Sequence, residues 1–83
     1  MQNIQIKIEA YGAIERQLPS DLILQCASSS RIADVLFQVE QLYPDAKKML
    51  DRCACAVGED IVSRQTVLNS DSTLVMLSPV AGG

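Results

Sequence analysis

The sequence predicts an α+β fold: a mixed sheet of about four to five strands with one main helix packed on one face. Three observations lead there. Apolar and polar residues alternate in period 2 near the start of the chain, a short apolar run follows a polar turn near its end, and an apolar stripe of helical spacing occurs once, in the middle. The elements then run strand, strand, helix, strand, short strand, strand, which is a sheet wrapped around a single helix.

In "IQIKIEA", Ile4, Ile6, Ile8 and Ala10 fall on one face and Gln5, Lys7 and Glu9 on the other, the pattern of a half-buried strand. Pro19, Ser20 and Asp21 interrupt the chain before a second short strand, Asp21 to Cys26. The two can pair as a hairpin connected through "GAIERQLPS". The period then changes, with Ile32, Val35, Leu36, Val39, Leu42 and Tyr43 forming the stripe of an amphipathic helix. That stripe is read as core, because so small a sheet needs the helix to cover it. Ser30 is the expected N-cap, Asp34 adds negative charge early in the helix, and Pro44 ends it at Tyr43. "DAKKMLD" can form one further turn, and "RCACAV" is the third strand, with Gly58 to Asp60 turning the chain into "IVS". Asn69 to Ser72 make a turn before the last strand, "TLVMLS". There, alternation allows Leu74 and Met76 to face the core while Val75 and Leu77 face outward.

The composition restricts function more by exclusion than by signature. Eighty-three residues, 48% of them hydrophobic, make one small domain without linker or repeat and leave little room for a deep catalytic cavity. Seven basic and ten acidic residues give a net charge of −3 with no Lys/Arg cluster, so nucleic-acid binding is not expected. No apolar stretch approaches the ~20 residues of a membrane span, and "MQNIQIKIEA" lacks the features of a signal peptide. Three cysteines without such a signal point to a reducing compartment, and a cytoplasmic location is expected. Histidine is absent, which removes the commonest general base and a frequent metal ligand. With no GxSxG or HExxH pattern either, neither catalytic residues nor a metal site are expected. Cys53 and Cys55 would share one face of a strand, but with only the distant Cys26 they fall short of a four-ligand zinc set. Packing as small apolar side chains is the preferred reading of the cysteines, with a redox or metal role as the alternative. Tyr11 leaves the first strand on its outward face, either as an ordinary exposed tyrosine or as an interface residue.

The chain finishes "SPVAGG", which divides it into a domain over residues 1–77 and a tail over 78–83. Gly83 carries the α-carboxylate, ionised at neutral pH with a pKa of about 3.5 and so a poor electrophile. As a mixed anhydride with AMP it becomes reactive towards sulfide, a thiol or an amine. Two residues without Cβ allow a chain to thread a narrow slot, and six extended residues reach about 20 Å. The plain alternative is a frayed end. Against it stand the apolar Val80-Ala81 and the lack of any charged side chain after Asp71.

These residues resemble the ubiquitin-like sulfur carriers, most closely the small subunit of molybdopterin synthase (the MoaD family). "STLVMLSPVAGG" resembles the end of ubiquitin, and Ser78-Pro79-Val80-Ala81-Gly82-Gly83 resembles the family's Pro-Pro-Val-x-Gly-Gly. "YGAIER" resembles its early aromatic segment. The chain departs from the pattern at Ser70-Asp71-Ser72, where Asp-Gly-Asp is usual, at Ser78 in place of the first proline, and in the order of Glu15-Arg16. The resemblance implies a β-grasp fold and a carrier with no catalytic residues of its own. In such a carrier Gly83 is adenylated by an ATP-dependent, MoeB-type activating enzyme and converted to a thiocarboxylate. Pro79, Val80, Ala81, Gly82 and Gly83 then enter the large, MoaE-type subunit, expected in a heterotetramer, which supplies the catalytic groups. Sulfur passes to precursor Z, the cyclic pyranopterin monophosphate, in molybdenum cofactor biosynthesis. ATP belongs to the activating enzyme, and no cofactor is expected on this chain. Matching positions imply that Tyr11, Ile61 and Leu77 form the partner interface, with ordinary packing as the alternative for Ile61 and Leu77. Two other uses of a terminal glycine stay open: a ThiS-like donor for thiamine biosynthesis, and a ubiquitin-like modifier joined to target lysines. A plain binding module, indifferent to its terminus, is the third.

Overall fold

The computed structural model describes residues 2–79. Strand β1 (Asn3–Tyr11) is followed by a 3-10 turn (Gly12–Arg16), β2 (Ile23–Ala27), the two-residue β3 (Ser30–Arg31) and helix α1 (Ile32–Leu42). A second 3-10 turn (Pro44–Ala46) leads into the short helix α2 (Lys47–Leu50). Strands β4 (Ala54–Val57), β5 (Asp60–Val62), β6 (Val67–Leu68) and β7 (Ser72–Leu77) complete the described chain. Five strands form a mixed sheet in the order β2-β1-β7-β4-β5, while β3 and β6 pair separately. Strands β1 and β7 run parallel at the centre, and the pairs β1–β2, β7–β4 and β4–β5 are antiparallel. The order of elements predicted such a sheet with one helix, and its topology is the β-grasp arrangement that the resemblance implied.

Period-2 alternation decides which side of the sheet is covered. Ile4, Ile6 and Ile8 of β1, Leu24 and Cys26 of β2, Cys55 of β4, and Leu74 and Met76 of β7 are all buried. They join Ile32, Val35, Leu36 and Val39 of α1 in one core. Leu42, expected in the same stripe, is instead 57% exposed. Tyr43 leaves helical geometry at φ −132° and ψ 74°, and it is Tyr43 that packs against the core as the chain turns into Pro44. The connection after β1 adds Ile14 and Leu18 to the core, so it is a packed segment and not merely a loop. Strand β2 begins at Ile23, two residues later than the sequence suggested.

The start of α1 also corrects an expectation. Ser30 is not the N-cap; its hydroxyl donates to the Ala27 carbonyl at 2.6 Å, closing the turn behind it. Arg31 is the N-cap, and Asp34 accepts a hydrogen bond from the Arg31 amide at 3.0 Å. The Ile32 and Ala33 amides, which an isolated helix would leave without partners, donate to the carbonyls of Thr66 and Arg64. Arg64 in turn donates to the carbonyls of Leu50 and Cys53 at 2.6 and 3.0 Å, joining the end of α2 to the start of β4.

Candidate functional site

The site is assembled where β1 and β7 end side by side. Their parallel register pairs Glu9 with Val75 and Tyr11 with Leu77. Beyond β7, Ala56 stands opposite Val75 and Ala54 opposite Leu77, and Ile61 of β5 faces Ala56. Two rows therefore cross the face turned away from the helix: Tyr11–Leu77–Ala54 and Glu9–Val75–Ala56–Ile61. Tyr11 and Ile61 are 50% and 67% exposed, and Leu77 and Val75 are partly exposed. Alanine on β4 keeps the middle of this patch low. The same face is polar towards β2, where Gln5 pairs with Gln25 and Lys7 is beside Ile23.

Of the residues proposed for partner contact, Tyr11 and Leu77 are thus adjacent, and Ile61 lies two strands from Leu77 across β4. None of the three belongs to the core cluster. Val75 and the two alanines extend the patch; outward alternation in β7 marked Val75, but the alanines gave no signal before the β4 register was known. Pro79 is exposed and outside β7, whereas Val80, Ala81, Gly82 and Gly83 lie outside the described residues.

Tyr11 donates its phenolic hydrogen to Glu9 Oε1 at 2.9 Å. That bond, followed by the charge of Glu9 and smaller effects of burial and Glu15, raises the phenol above its usual pKa. Lys7 reaches the other oxygen of Glu9 at 3.8 Å. A hollow of about 230 Å³ beside these groups is lined by Lys7, Glu9, Tyr11, Glu15 and Leu18, among others. It is smaller than the ~300–1,000 Å³ of typical ligand pockets.

At the base of the tail, the Ser78 amide donates to the Tyr11 carbonyl at 3.1 Å, one step beyond the strand pairing. Its hydroxyl donates to the same carbonyl at 3.0 Å and accepts from the Ile14 amide at 3.3 Å. Gly12 has φ +86°, and a Cβ there would collide with Ser78 Oγ. Sequence reasoning marked Ser78 only as a departure from a proline and missed this contact.

All three cysteines are buried. Burial raises each thiol above its usual pKa, partly offset at Cys53 and Cys55 by Arg64. Cys53 Sγ donates to the Met49 carbonyl at 3.2 Å. Thiols held protonated in a core are unsuited to nucleophilic or redox work. Among the described residues no cluster of three potential ligands could hold a metal, and no helix is long and apolar enough to cross a membrane.

A small ubiquitin-like domain with one open, half-apolar sheet face is what these elements define. Residues 11–83 match the ThiS family, and the chain belongs to it. Solved structures agree on the fold. SAMP1 from Haloferax volcanii superposes with a TM-score of 0.83 at 10% identity, covering 95% of this chain and 99% of that one. A putative molybdopterin converting factor subunit 1 from Pyrococcus furiosus gives 0.80 at 14% identity, covering 93% and 99%. The complex of molybdopterin-converting factor subunits 1 and 2 from Helicobacter pylori gives 0.66 at 20% identity, covering 96% and 100%. No curated protein sequence matches the chain.

Proposed function

We propose that this protein is a sulfur carrier, the small subunit of a molybdopterin synthase. The observation that carries the reading is a Val-Ala-Gly-Gly ending on a ThiS-family domain whose last strand adjoins an exposed apolar patch. The Gly83 carboxylate attacks the α-phosphorus of ATP in an activating enzyme, giving the acyl adenylate and releasing pyrophosphate. Sulfide adds to the acyl carbon, AMP departs with the electron pair of the broken C–O bond, and loss of the remaining S–H proton leaves the thiocarboxylate. Tyr11, Val75, Leu77 and Ile61 then dock on the large synthase subunit. Pro79 to Gly83 enter its active site, and sulfur passes to the cyclic pyranopterin monophosphate. This chain contributes the acyl group and the docking surface; the general acids and bases belong to the partner. The likeness to a complex of converting-factor subunits 1 and 2 supports a large-subunit partner.

The test is intact mass after incubation with ATP, a MoeB-type activating enzyme and a sulfur source. A gain equal to exchange of one carboxylate oxygen for sulfur, lost on deletion of Gly83, is the expected result. An unchanged mass with an enzyme proven competent on another carrier defeats the assignment. The likeness to SAMP1, a small archaeal modifier protein, favours a second reading in which the activated carboxylate is joined to lysines. Amide-linked adducts on cellular proteins distinguish it.

A further inference from the structure

We infer that Ser78 is a positioning residue for the tail: its amide and hydroxyl, closed onto the Tyr11 carbonyl and the Ile14 amide, fix the point from which the carboxylate-bearing segment leaves the sheet. The inference rests on the carrier reading of that segment. Three independent features converge on this one side chain. Its hydroxyl makes two hydrogen bonds to the turn after β1, at 3.0 and 3.3 Å, and its amide makes a third at 3.1 Å. Ile14, which supplies one partner, is fully buried, so the contact is referred to the core and not to a loose loop. Gly12 adopts φ +86° and leaves the space that Ser78 Oγ fills. Pro79 then confines Ser78 to extended backbone angles and cannot itself donate to an alternative strand partner.

The consequence is a fixed root below a tip that ends in two glycines. Each residue ordered before docking is one fewer to order when the tail enters a partner's slot. Tyr11 belongs to both functions, since its ring lies in the outward patch while its carbonyl holds Ser78. Docking of the patch therefore presents the tail in a set direction.

Ser78→Ala removes both hydroxyl bonds and leaves the amide bond. Kinetics of adenylation by the activating enzyme should show kcat reduced at least about five-fold, the size expected for one lost hydrogen bond where this variant loses two, with KM within about two-fold because the rest of the surface is unaltered. Backbone relaxation should show increased fast motion at the Val80 amide. Unchanged kcat together with unchanged Val80 relaxation overturns the proposal. So does a fall in kcat that merely follows a lowered thermal midpoint and a raised KM, since that is loss of structure. If the unsubstituted protein is not activated by a competent enzyme, the carrier reading fails, and the Val80 comparison alone decides whether Ser78 orders the tail. Gly12→Ala attacks the same contact from the other side and should reproduce both effects.

Discussion

The two faces of the sheet are built from the same strands, residue by residue in alternation, yet they do different work. On the inner face Ile6, Ile8, Leu74 and Met76 are at most 2% exposed and hold α1 in place. On the outer face the intervening residues include Tyr11, Val75, Leu77 and Ile61, apolar side chains that remain in contact with water. Burial of an aliphatic side chain contributes about 1.5–3 kcal/mol to folding, so the inner face supplies the larger share of the sheet's apolar stabilisation. The outer apolar rows contribute little to folding. The comparison teaches that their chemistry is best explained by something that covers them only part of the time, as a docking partner does.

The strongest way to break this comparison is at Leu74, fully buried in a central strand. Leu74→Ala should cost about 2–5 kcal/mol, read as a lower urea midpoint with little change in slope. The outer face provides the contrast. Ile61→Asp and Leu77→Asp should each change stability by only about 0.5 kcal/mol, yet weaken association with the large synthase subunit by more than ~10-fold in titration calorimetry. Equal destabilisation at Leu74 and Ile61, or unaltered association of the outer-face variants, would show that the faces do not divide in this way.

The division was legible in the sequence wherever alternation was clean. Ile4, Ile6 and Ile8 announce an inner face, whereas the all-apolar last strand only allows Leu74 and Met76 to point inward, and its pairing of Leu74 with Ile8 decides it. Legibility ended where tertiary partners override local pattern. Ser30 has the right chemistry for an N-cap, but its hydroxyl is used by the turn at Ala27, and Arg31 pairs with Val67 in a strand too short to carry a period. Leu42 fits the helical stripe, but the turn towards Pro44 gives its place in the core to Tyr43. The contact of Ser78 with Gly12 and Ile14 spans more than sixty residues, and no spacing rule encodes it.

A gentler distinction between the faces lies in their ionisable groups. Cys55 belongs to the inner face and its thiol is raised above the ordinary 9.0 first by burial. The folded protein then holds this proton more tightly than the unfolded chain does. The resulting stability is fully present below pH 9.0 and is lost as pH climbs through the raised value. At pH 8 an aromatic disulfide reagent should react with the native protein far more slowly than with the urea-unfolded chain, and added salt should not change that protection. Rapid native reaction would mean that the inner face opens locally or that the thiol is accessible.

Tyr11 gives the smallest effect and the sharpest contrast, because its phenol is also raised but for another reason. Its causes are the hydrogen bond to Glu9 first and the charge of Glu9 second, at a half-exposed position where burial counts for less. The sign is the same as for the thiol: any stability that comes with the shift is present below the ordinary value of 10.0 and lost as pH rises through the folded one. Its response to perturbation differs, because charge effects at an exposed site are screened while desolvation is not. Phenolate absorbance in a Tyr43→Phe background, where Tyr11 is the remaining tyrosine, isolates the titration. Glu9→Ala should return the pKa to about 10, and raised ionic strength should move it part of the way. If neither does, the phenol is held by burial, and the outer face at Tyr11 is covered as the inner face is.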